Sequence, residues 1–168
     1  MTDRYFYLVA QLPALRFGRE PGLTPEGFLA EAAKWLGRSA LETIRGAVLF
    51  DRSDEPTGCS LLDRFRAFER AVRTELAEWR RARREGRDLR TFFPASLVRE
   101  GDPLEVERAL LRYRFERLEE EEWGHHFDLE ALVAYYLKLQ ILARLAVYDA
   151  ARGLEAYRSL TGRTGTLQ

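Results

Sequence analysis

Apolar residues recur at helical spacing through most of this chain, and the longest such run covers residues 127–160. Asp128 is placed to cap its start, and Glu130 sets an acid in the first turn, where the helix dipole favours an anion. No proline interrupts the run. Gly153 is the first glycine after the cap and would bend or end the helix. Tyr136, Leu139, Leu142 and Val147 share one broad face, with Leu132 and Tyr135 beside them, as a core-facing stripe requires. Leu137, Ile141, Leu145 and Tyr148 step by four, four and three residues and make a second apolar ridge. Lys138, Gln140, Arg144 and Asp149 flank it. A helix apolar on two sides is either central in its own domain or shared with a partner. The second option makes Leu137, Ile141, Leu145 and Tyr148 a partner contact.

The same grammar predicts the other elements. Residues 5–12 are apolar and aromatic and read as a short core-packing helix that Pro13 ends or kinks. Thr24, Pro25 and Glu26 supply cap, first-position proline and first-turn acid for a helix with Phe28, Leu29, Ala32 and Leu36 on its apolar side. Gly37 ends that helix. Ser39 and Glu42 form a capping box for the next, lined by Leu41, Ile44, Val48 and Leu49. Residues 51–58 are polar and read as a loop. Ser60 with Asp63 opens a long helix in which Leu61, Phe65, Phe68, Val72, Leu76 and Trp79 recur at steps of three and four. Residues 88–101 form a connector whose Phe92 and Phe93 either plug a gap between helices or, if exposed, make a contact site. Asp102, Pro103 and Glu105 then start a helix running to about Trp123, with Leu104, Leu111, Phe115 and Leu118 facing inward. The expected fold is all-α, an elongated bundle of about five or six helices, two short N-terminal ones and three longer ones. One domain is expected over residues 1–162, with a frayed tail at 163–168.

Composition narrows the function classes. The chain has 168 residues, of which 46% are hydrophobic, enough for one packed domain. Lys plus Arg equals Asp plus Glu at 27 each, so net charge gives no argument for nucleic acid or an anionic membrane. The charge is instead gathered in runs. Arg80, Arg81, Arg83 and Arg84 suit a helix C-terminus and read as a solvated end or a docking patch for an acidic protein, since base-reading side chains are not interleaved. Glu119, Glu120, Glu121 and Glu122 end the following helix with the wrong sign. The acidic run either sits against the arginine-rich end of the preceding helix or, under strict antiparallel packing, lies near Ser60 with the arginine run near Asp102, leaving one or both for another partner. The single cysteine, Cys59, permits no internal disulfide and fits a reducing cytoplasm. The opening residues lack a signal-peptide pattern, and no stretch is apolar enough for a membrane span. Residues 51–58 lack the ordered ligands of a calcium loop. His125 and His126 are adjacent rather than three or four apart, so they read as a surface turn ahead of a metal-dependent enzyme built on them and the glutamates. Phosphate-binding and dinucleotide-binding glycine motifs are missing. These residues predict no catalytic, cofactor-binding or metal-ligating role.

Tyr5-Phe6-Tyr7-Leu8-Val9-Ala10-Gln11-Leu12-Pro13-Ala14-Leu15 resembles the opening of a small bacterial family encoded inside V-type (A-type-like) ATP synthase operons. Tyr136-Leu137-Lys138-Leu139-Gln140, continuing to Arg144 and Gly153, is similar to that family's second hallmark. The resemblance implies a non-catalytic structural or accessory subunit, with protein subunits of a V-type ATPase as partners. It implies a cytoplasmic protein held at the inner face of the membrane through the complex. It also implies a shortened counterpart of the all-helical subunit that couples the central stalk to the membrane ring. The residues leave an alternative open, a free-standing helical regulator or small-ligand-binding homodimer that uses the same ridge and a pocket lined by Tyr135, Tyr136 and Tyr148.

Overall fold

In a computed structural model the protein is described over residues 3–94, 102–148 and 153. Six helices, and no strand, are found among those residues: α1 Asp3–Gln11, α2 Pro25–Trp35, α3 Arg38–Arg45, α4 Ser60–Arg84, α5 Pro103–Glu122 and α6 Leu129–Val147. The all-α expectation and the helix number are both met. The caps explain most boundaries. Thr24, Asp102 and Asp128 accept from the backbone N–H groups of Gly27, Leu104 and Ala131, and so close the open ends of α2, α5 and α6.

Two expected caps are different. Gly37 precedes α3 in extended conformation without a side-chain cap, and Ser39 lies inside the helix, where Glu42 pairs with Arg38 instead. Cys59 occupies the cap position of α4, while Asp63 accepts from both the N–H and the hydroxyl of Thr57. The carboxylate therefore folds the preceding loop onto the first turn of α4. α3 also stops at Arg45, so Val48 is exposed while Leu49 turns into the core.

α4 and α5 run antiparallel. Arg64 pairs with Glu121, and Arg114 donates to Glu69 at 2.6 and 3.4 Å, which fixes the register near one end and further along. The Glu69–Arg114 pair is almost completely buried, so each charge depends on the other for its solvation. Phe93 plugs the gap beside Val72, Leu76 and Leu110, whereas its neighbour Phe92 remains 55% exposed. The aromatic pair of the connector is thus split between the two expected roles.

α6 is the central element, in contact with α2, α3, α4 and α5. This placement corrects the reading of its second ridge as a partner contact. Leu137 and Ile141 are fully buried, Leu145 nearly so, and Tyr148 is partly covered, all by the chain's own helices. Both apolar sides of α6 are needed because helices surround it. The opposite face holds as expected at Leu139 and Leu142, but Val147 is exposed. Of the expected continuation to residue 160, residues 149–152 and 154–160 lie outside the described residues; Gly153 is helical. The tail at 163–168 also lies outside them.

Polar groups on α4 and α6 hold the linker between α3 and α4. Gln140 donates to the Ala47 carbonyl at 2.7 Å and accepts from the Leu49 N–H at 3.1 Å. Arg66 donates to the Gly46 and Glu55 carbonyls and pairs with Asp51. Arg73 donates to the Asp51 carbonyl at 2.8 Å. The Ser53 N–H, helped by Arg66, holds the Asp51 carboxyl below its ordinary range despite the opposing effect of burial.

Candidate functional site

The turn between α5 and α6 builds one end of the molecule. Gly124 has φ of 91°, a left-handed conformation that a side chain would strain, and it lies in the six-residue turn, 123–128, that reverses the chain. The reversal opens a cleft of about 590 Å³ between α1 with its following loop, the end of α5 and the start of α6. Tyr135 and Lys138 reach it from α6, Glu119 and Glu122 from α5, and Trp123 from the cap of α5. The Tyr135 hydroxyl donates to the Pro13 carbonyl at 2.9 Å, and burial pushes its phenol up to about 12. Lys138 is buried, paired with Glu122 and set 5.8 Å from the Phe115 ring.

Trp123 and Phe127 line this cleft, and Phe127 joins it to a row of rings on α1 and α2. Trp123 is 88% exposed. Phe127 meets Phe6 at 5.0 Å, Phe6 meets Tyr7 at 6.0 Å, and Tyr7 stacks on Trp35 at 5.7 Å. Phe6, Tyr7 and Phe127 are 50%, 53% and 42% exposed, so the rings form a connected apolar band open to water. Sequence reasoning read residues 5–12 as a short helix that packs into the core and did not identify this band. One signal was present: consecutive residues of a helix point to different sides, so a short helix packed on one face leaves part of the run Phe6, Tyr7, Leu8 uncovered. Leu8 is the one that is buried.

His125, Asp128 and Glu130 bring their donor atoms within 4.8 Å of one another, a grouping that invites a metal. The geometry favours a cap. One Asp128 oxygen accepts from the Ala131 N–H at 2.9 Å, and the other lies 2.7 Å from His125 Nδ1. A cation there would also sit at the positive end of α6. Cys59 is fully buried, and burial raises its thiol above the ordinary range, so the thiolate a nucleophile requires is disfavoured.

The other end is basic. Arg80, Arg81, Arg83 and Arg84 are all exposed at the end of α4. Arg83 lies 5.3 Å over the Trp79 ring, and Trp79 forms a shallow depression with Arg80, Arg83 and Arg84. The acidic run of α5 is treated differently. Glu121 pairs with Arg64 and Arg117, Glu120 with Arg117, and Glu122 with Lys138. The predicted contact residues therefore separate into four arginines at the surface and a ridge inside the core.

Fold and surfaces together define an all-helical protein with two exposed ends of different chemistry, one arginine-rich and one aromatic and acidic. Residues 60–165 match the model of the family described as "Protein of unknown function (DUF2764)", and the chain belongs to that family. The match takes in α4, α5 and α6 with the turn that builds the cleft; α1, α2 and α3 precede it. No curated protein and no solved structure matches the chain. Among the described residues no helix is long and apolar enough to cross a membrane.

Proposed function

We propose that this chain is a non-catalytic structural or accessory subunit of a bacterial V-type rotary ATPase, acting through helix-mediated contacts with other protein subunits. The assignment to that machine rests on the resemblance carried by residues 5–15 and by Tyr136 to Gln140, since the family description itself names no activity or partner. The observation that carries the contact role is the arginine end. Arg80, Arg81 and Arg84 are exposed and make no ion pair within the described residues, whereas Glu120, Glu121 and Glu122 of the acidic run are answered internally. A surface of that kind suits an acidic face on a neighbouring subunit. The protein would then be cytoplasmic and reach the inner face of the membrane only through the complex. Affinity capture of the tagged chain from native membranes tests this. ATPase subunits should be recovered, and recovery should fall when Arg80, Arg81 and Arg84 are changed to alanine; capture without any ATPase component overturns the reading.

A second reading, a free-standing regulator or small-ligand-binding homodimer, draws support from the cleft with Tyr135 in its wall. It cannot use the α6 ridge, which the monomer itself covers. Sedimentation of the isolated chain at rising concentration separates the two readings, because a dimer that forms without other subunits belongs to the second.

A further inference from the structure

The aromatic cleft has no part in a contact made through the arginine end. We propose that it receives a helix of another protein whose apolar face carries a basic side chain, with Trp123 as the anchor and Glu116 and Glu119 as the charge partners. This deepens the assembly reading by giving one partner its chemistry. Trp123 is the starting point. A tryptophan offers a large apolar area, and at 88% exposure almost none of it is covered by this chain. Phe127 extends the bare surface from Trp123 toward α1, where Phe6 and Tyr7 continue it.

Charge gives the partner its sign. Glu116 and Glu119 on α5 and Trp123, which caps its C-terminus, are spaced by three and four residues, so they form one strip. Both glutamates are exposed, and neither has a cationic partner among the described residues, whereas Glu120, Glu121 and Glu122 all do. The carbonyl end of α5 adds negative potential at the same place. A basic group is favoured there, and an anionic lipid surface is repelled.

The wall of the cleft sets the kind of molecule. The Lys138 ammonium is engaged by Glu122, and the Tyr135 hydroxyl by Pro13. The polar groups that would orient a small polar ligand are thus already in use, while the partly exposed Val9, Leu12 and Leu15 present apolar surface. Helices border the cleft, so an extended peptide would find no strand edge for its backbone. A helix satisfies its own backbone and needs only side-chain pockets.

The test uses the full chain and two labelled model helices of equal length and pattern, one of leucine and lysine and one of leucine and glutamate. Binding of the leucine–lysine helix is expected, with a shift in tryptophan emission. Trp123→Ala should weaken it about tenfold or more, as loss of an interface anchor does. Glu116→Gln with Glu119→Gln should weaken it and flatten its salt dependence, while Arg80→Ala with Arg84→Ala should leave it unchanged. These side chains are exposed, and circular dichroism checks that each variant folds. No binding, equal binding of the leucine–glutamate helix, or unchanged affinity in Trp123→Ala overturns the proposal. A concentration-dependent dimer abolished by Trp123→Ala also overturns it, in favour of a second copy of this chain. Peptide binding through Trp123 without any ATPase subunit in membrane captures leaves the cleft standing and removes only the rotary ATPase; the reverse result removes only the cleft.

Discussion

The chain carries two runs of like charge, Arg80 to Arg84 and Glu119 to Glu122, that look like mirror images until their neighbours are known. The acidic run ends α5 against the start of α4 and the first half of α6, and each of those helices sends a single cation to meet it, Arg64 and Lys138. The arginine run ends α4 beyond Arg64 by about 26 Å of helix, and no described acid reaches Arg80, Arg81 or Arg84. A charge run is therefore structural or free according to what the packed helices bring alongside it, and length or sign alone does not decide. The Glu69–Arg114 pair between the two runs marks the limiting case, because both partners are out of water.

That gradient from enclosed to open can be broken at its enclosed end. Arg114→Leu leaves the Glu69 carboxylate buried and alone, and should cost about 3–5 kcal/mol in urea denaturation. Adding Glu69→Leu should recover most of the loss. If the single change costs less than 1 kcal/mol, the pair is not shielded and the comparison fails. Leu137→Ala comes next, at about 2–5 kcal/mol, because the side chain is fully buried beneath the helices around α6. A ridge reserved for a partner would instead leave the isolated monomer unaffected.

How much of this was legible follows from range. The helices and most of their caps were readable because cap, first-turn acid and apolar spacing are local signals, as at Thr24 and Asp128. Sequence leaves the placement of the acidic run open between the arginine end of α4 and the neighbourhood of Ser60, and the pairing of Arg64 with Glu121 decides for the second. What surrounds α6 was not readable, since the two-sided pattern of Leu137 and Leu139 is the same for a central helix and a shared one. The individual cations at Arg64 and Lys138 were equally hidden, because their partners lie 57 and 16 residues away. The aromatic band joins Phe6 to Phe127 across most of the chain, and only packing brings them together.

The cleft lies between the extremes and should show a smaller, pH-dependent effect. Tyr135→Phe removes the hydrogen bond to the Pro13 carbonyl and should cost about 1 kcal/mol near neutral pH. The folded-state phenol ionises near 12, above its unfolded value of 10.0, so the neutral form is favoured by folding. Its contribution is complete below pH 10, declines as the unfolded tyrosine ionises, and is lost as pH rises through 12. The difference in stability between wild type and Tyr135→Phe should therefore shrink across that window in equilibrium unfolding. A constant difference would mean that the hydroxyl is in contact with water.

The open end should give the smallest change in folding. Arg80→Ala with Arg84→Ala removes two exposed cations, neither of which has an ion pair among the described residues. Their main contribution to the isolated chain is their interaction with the carbonyl end of α4, and exposed side chains are screened there, so thermal unfolding should move by no more than about 0.5 kcal/mol. Association is where the same variant should matter. If the arginines wait for an acidic neighbour, the change should slow binding to the captured complex and reduce its dependence on salt, since exposed charges act mainly on encounter rates. A variant that unfolds as readily as Arg114→Leu would place this end with the enclosed charges. One that alters neither folding nor association would leave the arginines as a solvated helix terminus and take the contact role away from them.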